Sequence, residues 1–502
     1  MVNIYFKFIK PTSKWKPFSL LQHSLQKHNL FHRFSSHTPI KITNQSDKIY
    51  SQKEQAFLIN FKKCCTKKHI EQLHAHMVKD GFFQNLFLVG KVIVFCAVSN
   101  ENYMDYAVSV FEKIDNPDGF LWNTMIRGFG NMNEVDKVFC YFNMMHENGL
   151  KVDNFTLSFL AKASGQSGSV LLGKQVHCSV VKQGLECHVY VINTLIHMYG
   201  VLKYVRVARQ LFDEMPEPNL VGWNTIIDCH NSCGEHKKAL ELFSRMQHAG
   251  VKPDNATLAI VLSACAELGE LGLGKWVHSI IDPISFVKDV CLVNSLINMY
   301  TRCGEIQEAQ KIFDRMNDKN IVTWSTMILG LATHGYVHEA LGVFSRMISE
   351  KHATPNDVAF LGVLTACSHG GMIEEGRQYF NMINDYNMEP TIKHYGCMVD
   401  MLSRAGLVTE AYDLVQDMPM KYNAIIWRTL LAGCHTHGDI KLAEKVRQRL
   451  LELEPDHSSD YVLLSNTYAG LEDWNQVSKV RRSMAANGVQ KLRAGNSFIG
   501  LP

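Results

Sequence analysis

The chain has 502 residues, of which 46% are apolar and 20% charged, with a formal net charge of +3; this is ordinary for a globular or solenoid protein and excludes a low-complexity or collagen-like chain. Residues 1–50 hold eight of the 51 Lys and Arg but one of the 48 Asp and Glu, so the remainder carries a formal net charge of −4 and bulk electrostatics do not argue for a nucleic-acid partner. The longest apolar run, Leu86 to Val98, is broken by Lys91 and too short to span a bilayer, so no membrane is expected; fourteen cysteines with no C-x-x-C pair read as small reduced core residues rather than a disulfide framework.

Residues 1 to about 46 contain seven Lys or Arg, no Asp or Glu, several Ser, and scattered aromatic residues. That is the composition of an organelle-targeting leader, and Arg33-Phe34-Ser35-Ser36 resembles a mitochondrial processing site. A mitochondrial destination is expected, with the chloroplast as the competing one and a basic tail as the plain alternative. Residues 51–118 read as two degraded copies of a helical unit that then repeats more clearly.

The repeat is set by a ruler. Trp122, Trp223, Trp324 and Trp427 lie 101, 101 and 103 residues apart, and Met198/Met299, His177/His278 and Phe212/Phe313 keep the same 101-residue step. A fixed period decides architecture before any local reading. Within Leu220–Asp254, Trp223, Ile226, Ile227 and His230 form one helical stripe. After Cys233-Gly234, Ala239, Phe243 and Met246 form a second, and Gly250 with Pro253 stops it. The unit is helix, turn, helix, stop; one such hairpin cannot bury its apolar face alone, so neighbours must stack. Each step holds three units of 35, 35 and 31 residues: Leu220–Asp254, Asn255–Asp289 and Val290–Asn320, preceded by Gly119–Asp153, Asn154–His188 and Val189–Asn219 and followed by Ile321–Asn356, Asp357–Thr391 and Ile392–Asn423. The tryptophans sit beside the apolar stripe and are expected in the core rather than stacked on a ligand.

The phrases WNTMIRGFG (122–130), VINTLIHMYG (191–200), ARQLFDEMP (208–216), VLSACAELGELGLGKWVH (261–278), VNSLINMYTRCGEIQEAQKIFDRM (293–316) and WSTMILGLATHG (324–335) resemble the plant pentatricopeptide repeat family, in its type with alternating P, L and S repeats. The resemblance covers 51–423, roughly ten repeats, and residues 424–502 resemble the E motifs that follow the repeats in the family's E class; Trp427 and Trp474 read as core anchors there. No E+ extension or DYW deaminase domain follows before Pro502. The fold this implies is all-α, a right-handed α-solenoid superhelix of stacked helix-turn-helix repeats.

The resemblance also implies which residues act. In the family the fifth side chain of a repeat and its last residue face the groove and read one base of single-stranded RNA per repeat. Carried over, the pairs are Asn123/Asp153, Asn193/Asn219, Asn224/Asp254, Asn294/Asn320 and Ser325/Asn356. An amide offers donor and acceptor together, and a second polar group settles which base edge fits. By resemblance Asn with Asp prefers uracil, Asn with Asn a pyrimidine and Ser with Asn adenine, giving U-n-Y-U-n-Y-A, 5′ to 3′. The L repeats offer Ser158/His188, Ala259/Asp289 and Leu361/Thr391, and Gly396 stands at the fifth place of the last repeat; these depart from readable pairs. The plain alternative for each fifth-position Asn is a helix-start cap.

No enzyme chemistry is expected of the chain itself, and no cofactor or metal. A zinc deaminase needs H-x-E with a downstream P-C-x-x-C, and His69-Ile70-Glu71 has no such partner. His435-Thr436-His437 has no cysteine after Cys434 to complete a metal site. Gly168-x4-Gly173-Lys174 and Gly269-x4-Gly274-Lys275 lack the Ser or Thr of a phosphate loop and fall 101 residues apart, as helix punctuation would. The expected function is a sequence-specific RNA-binding protein of a plant organelle that selects a cytidine for C-to-U editing and recruits a DYW-type deaminase in trans through its E motifs. A splicing, stability or translation factor and a tetratricopeptide-like protein scaffold are the alternatives, the last disfavoured by the 35/35/31 period.

Overall fold

The structure, a computed structural model, describes residues 52–64, 66–98, 103–282, 288–350 and 353–489; the expected leader lies outside them. The described residues form 26 helices and no strand. They fall into two compact units, divided after Cys233.

The N-terminal unit holds α1 (Gln52–Phe61), α2 (Lys67–Lys79), α3 (Leu86–Val98), α4 (Met104–Phe111), α5 (Gly119–Asn131), α6 (Val135–Glu147), α7 (Asn154–Ser167), α8 (Val170–Lys182), α9 (Val189–Val201), α10 (Val205–Asp213) and α11 (Leu220–Ser232). The C-terminal unit continues with α12 (His236–His248), α13 (Asn255–Leu268), α14 (Leu271–Ile280), α15 (Val290–Arg302), α16 (Ile306–Arg315), α17 (Ile321–Thr333), α18 (Val337–Ser349), α19 (Asp357–Gly370), α20 (Ile373–Asp385), α21 (Ile392–Arg404), α22 (Val408–Gln416), α23 (Ala424–His437), α24 (Ile440–Leu453), α25 (Ser458–Gly470) and α26 (Trp474–Ala486). Odd-numbered helices open hairpins and even-numbered helices close them. From α5 onward, the opening helices begin at the residues where the sequence period starts each unit.

Local chemistry explains those starts and stops. Asp153, Asp254 and Asn320 each cap the next opening helix and close a reciprocal box with Thr156, Thr257 and Thr323. Gly250 takes φ +73°, a left-handed turn that ends the closing helix as its position ahead of Pro253 implies. Within each unit, every opening helix packs on the opening helix before it, and the closing helices pack on their own partner and on the next opening helix. This is the stacked-hairpin α-solenoid architecture, in which each hairpin completes its neighbour's core.

The tryptophan ruler marks that core. Trp122, Trp223 and Trp324 are buried and meet Phe111, Phe212 and Phe313 of the preceding closing helix edge-on, with ring centroids 4.8, 4.8 and 5.1 Å apart. Trp427 is fully buried against Tyr412 and Tyr422. Trp474 is not a core anchor: it is 64% exposed, standing at the first residue of α26 before the packed face at Val477 and Val480 begins.

The phosphate-loop lookalikes resolve into packing. Gly168 and Gly269 are the left-handed caps of α7 and α13. Gly173 and Gly274 make room for Met198 and Met299, which would lie 3.2 and 2.4 Å (Sδ) from a Cβ added there. Among the described residues the cysteines form no disulfide and fall into buried, half-buried and exposed sets. Cys96, Cys229, Cys265, Cys367 and Cys434 are buried, while Cys140, Cys178 and Cys187 are exposed, contrary to a uniform core role. The reason is that closing helices such as α6 and α8 bury one stripe only. Burial pushes the thiols of Cys96, Cys229, Cys265 and Cys434 up to about 12 and that of Cys367 to about 11, so they stay protonated and inert.

Candidate functional site

In four repeats an opening helix presents its fifth residue one turn into the helix, and the next opening helix presents its cap beside it. Asn123, Asn193, Asn294 and Ser325 are the fifth residues of α5, α9, α15 and α17 and are 3–7% exposed. None of them caps a helix; the cap is the other member of each pair. Asp153, Asn219, Asn320 and Asn356 accept the backbone N–H of Thr156, Gly222, Thr323 and Ala359 at 2.7–2.9 Å. Residues about one repeat apart in the chain are thereby joined.

In the first pair Asn123 Nδ2 donates to both carboxylate oxygens of Asp153, at 3.1 and 3.2 Å, while Thr156 Oγ1 donates to Asn123 Oδ1 at 2.7 Å. Every polar atom of the Asn123 amide is therefore engaged. Asn193 Nδ2 donates to Asn219 Oδ1 at 3.2 Å, and Asn294 Nδ2 to Asn320 Oδ1 at 3.3 Å. In both of these pairs the amide oxygen of the fifth residue is buried with no hydrogen-bond partner. Ser325 Oγ lies 2.8 Å from Asn356 Oδ1 and 2.7 Å from Ile321 O, so its one proton is shared between the two acceptors. Asn224 is the half-buried fifth residue of α11, and Asp254 caps α13, accepting from Thr257 N at 2.8 Å.

The L repeats build no such pair. Ser158 Oγ turns back to Asn154 O at 2.7 Å, and His188 is exposed. Asp289 accepts instead from Asn255, the first residue of α13, at 3.2 Å, leaving Ala259 without a polar contact to offer. Leu361 is apolar, and the Thr391 N–H donates to His394 Nδ1 at 3.0 Å.

A second row was not anticipated from the sequence. The second residue of opening helices is repeatedly apolar and exposed: Phe120, Phe155, Tyr190 and Val221 in the N-terminal unit, Val322 and Ile425 in the other, with Val221 51% and Ile425 67% exposed. Residues three apart share a helix face, so each apolar second residue neighbours a fifth residue. The signal was present: Val221 and Val322 are 101 residues apart and fall outside the buried stripe. An apolar surface flanking a polar pair is the chemistry that holds the face of a flat ring while its edge is hydrogen-bonded.

The suspected metal motif has an ordinary partner. His435 Nδ1 lies 3.2 Å from Thr467 Oγ1, and no cluster of three or more His, Cys, Asp or Glu among the described residues could hold a metal ion. No helix among them is long and apolar enough to cross a membrane.

Comparison with known proteins bears on this arrangement. The PPR repeat family matches residues 117–164 and 218–267, the PPR repeat matches 190–220, 291–321, 322–352 and 393–422, and the E motif matches 437–500. A pentatricopeptide repeat-containing protein of Arabidopsis thaliana named chloroplastic/mitochondrial is 38% identical over 480 residues, covering 92% of this chain and 75% of that protein. A second from the same plant, named chloroplastic, is 39% identical over 466 residues, covering 92% and 77%. Among solved structures, the pentatricopeptide repeat protein PPR10 in complex with an 18-nt psaJ RNA element superposes with a TM-score of 0.64 at 17% identity, over 84% of this chain and 64% of that one. The chain thus spans just under two thirds of that solved chain. The pentatricopeptide repeat protein PPR10 from maize gives a TM-score of 0.52 at 18% identity, over 87% of this chain and 74% of that one. The chain belongs to the plant pentatricopeptide repeat family and, by its E motif, to the E class of that family.

Proposed function

We propose that this protein binds single-stranded RNA in a plant organelle and selects a cytidine for C-to-U editing. The observation that carries the reading is the recurring pair: in four repeats a fifth-position amide or hydroxyl is hydrogen-bonded to the cap of the next opening helix, 26–31 residues away. Nothing in helix stability demands this. A buried amide oxygen left without a donor, as in Asn193 and Asn294, is a cost to the fold. A base N–H would satisfy such an oxygen once the amide turns toward the groove. Asp153, Asn219, Asn320 and Asn356 supply the second polar group, and the exposed apolar second residues cover base faces. The readers remain Asn123/Asp153, Asn193/Asn219, Asn224/Asp254, Asn294/Asn320 and Ser325/Asn356.

The E motif supports editing, with the deaminase supplied by a separate protein. The names of the Arabidopsis relatives support an organelle, and the basic leader supports the mitochondrion. The test is sequencing of organellar transcripts in a loss-of-function line. A lost C-to-U event just downstream of a U-n-Y-U-n-Y-A match is expected. A retained intron or missing transcript end with all editing intact would overturn the editing reading and leave a splicing or stability factor.

A further inference from the structure

Three opening helices of the N-terminal unit carry a base at their ninth residue: Arg127 on α5, Lys162 on α7 and His197 on α9. Each stands one turn beyond a fifth residue, Asn123, Ser158 and Asn193, and i,i+4 side chains share a face. α5 packs on α7 and α7 on α9, so the three are neighbours across the row. At the same register α11 carries Asp228, and in the C-terminal unit the ninth residues are Ser263, Asn298, Leu329, Thr365 and Asp400. The cationic row is thus confined to α5, α7 and α9.

Arg127 and Lys162 have no counterion. Arg127 is half-buried and Lys162 is exposed, yet no carboxylate among the described residues pairs with either. The Lys162 ammonium donates to the neutral Asn131 Oδ1 at 3.2 Å. Burial lowers the pKa of both cations, and the charge of Arg127 adds to the effect at Lys162. Two like charges at one register of packed neighbouring helices, with no anion between them, repel each other, and a bound anion relieves that repulsion. Structural arginines in this chain are treated otherwise: Arg428 sits between Asp460 and Glu454 at 2.8 and 2.6 Å.

We propose that Arg127 and Lys162 form a phosphate clamp that grips the RNA backbone beside the bases read at Asn123 and Asn193. This rests on the RNA-binding reading above and assigns the skipped L repeat, whose Ser158 reads nothing, a backbone-holding role through Lys162. Packed helices lie about 8–10 Å apart, so the two cations can flank two consecutive phosphodiesters. Asp228 ends the row by repelling the next phosphate. The clamp sets register and affinity and carries no base preference.

The test uses the full chain with a U-n-Y-U-n-Y-A oligoribonucleotide and a scrambled one, titrated at several salt concentrations. Each phosphate contact on a single strand contributes about 0.7 to the slope of log K against log salt. Arg127→Gln with Lys162→Gln should flatten that slope by about 1.4 and weaken both oligonucleotides by the same factor, about tenfold at low salt. Arg127→Lys should restore the slope, which separates lost charge from a damaged fold. If the wild-type protein discriminates the two oligonucleotides but the double variant keeps its slope, the clamp is wrong while RNA reading stands. If the double variant changes the preference between them, Arg127 and Lys162 act on bases. If the wild type binds neither RNA but captures a polyglutamate peptide through these cations, the site serves an acidic protein and both readings fall.

Discussion

Asn123 and Asn193 occupy the same place in their repeats but not the same hydrogen-bond environment, and replacing each with near-isosteric Leu should separate them. Asn123→Leu removes two bonds to the Asp153 carboxylate and one from Thr156. Bonds to a charged acceptor are worth about 1.5–3 kcal/mol, so a loss of about 2–3 kcal/mol is expected. Asn193→Leu removes one neutral bond of 3.2 Å, worth about 0.5–1.5 kcal/mol, and also removes a buried oxygen that has no partner, worth about 1–3 kcal/mol in the opposite sense. The net change should lie near zero or be stabilising by up to about 2 kcal/mol. Asn219 keeps its cap bond to Gly222 either way. Because a solenoid's stability is a sum of local terms, native-state amide exchange in α5 and α9 is the assay. Asn294→Leu should copy Asn193→Leu, since Asn294 Oδ1 is orphaned in the same way. Both kinds of variant should lose base discrimination at one nucleotide. If Asn193→Leu costs as much as Asn123→Leu, the orphaned oxygen is satisfied in solution and it no longer supports a ligand at that place.

Asn224→Ala should relax discrimination at one base by roughly 1–3 kcal/mol in competition binding, leaving other positions unchanged. Gly362→Ala should destabilise α17–α19 by about 1–3 kcal/mol in denaturant unfolding, because the added Cβ would lie 3.0 Å from Leu329 N and 2.8 Å from Ile328 Cγ2. Arg428→Met leaves the buried Asp460 carboxylate with only the Ser459 hydroxyl and His457 beside it, and should loosen α23–α25 by about 2–3 kcal/mol; editing should be lost while RNA affinity persists. Acid should weaken the fold. Burial holds His74, His177 and His278 below the ordinary 6.5, each hydrogen-bonded to Tyr106, Tyr199 or Tyr300 at 2.8–3.0 Å. As pH falls past 6.5 the unfolded chain takes up protons that the folded chain resists, so stability is full above that pH and declines toward pH 5. Replacing His177 and His278 with Gln should flatten the dependence of melting temperature on pH.

The repeat boundaries were legible in the residues because the signals are local. A cap residue with Thr three places on, a glycine stop and a tryptophan every 101 residues each act within a turn or two of their own helix. The proposed readers rest on family resemblance, since a lone Asn near a helix start also fits a cap. Tertiary structure settled which member caps, by bringing residue 123 to 153 and residue 193 to 219 across stacked hairpins. The same stacking decided that Trp427 is buried while Trp474 is exposed, and that Arg127 and Lys162, 35 residues apart, fall at one register of neighbouring packed helices without a carboxylate partner. The chain by itself determined the helical unit and its period, because a hairpin's pattern is written in adjacent residues. Only the stack decided which side chains meet, because the neighbours of an opening helix lie a whole repeat away.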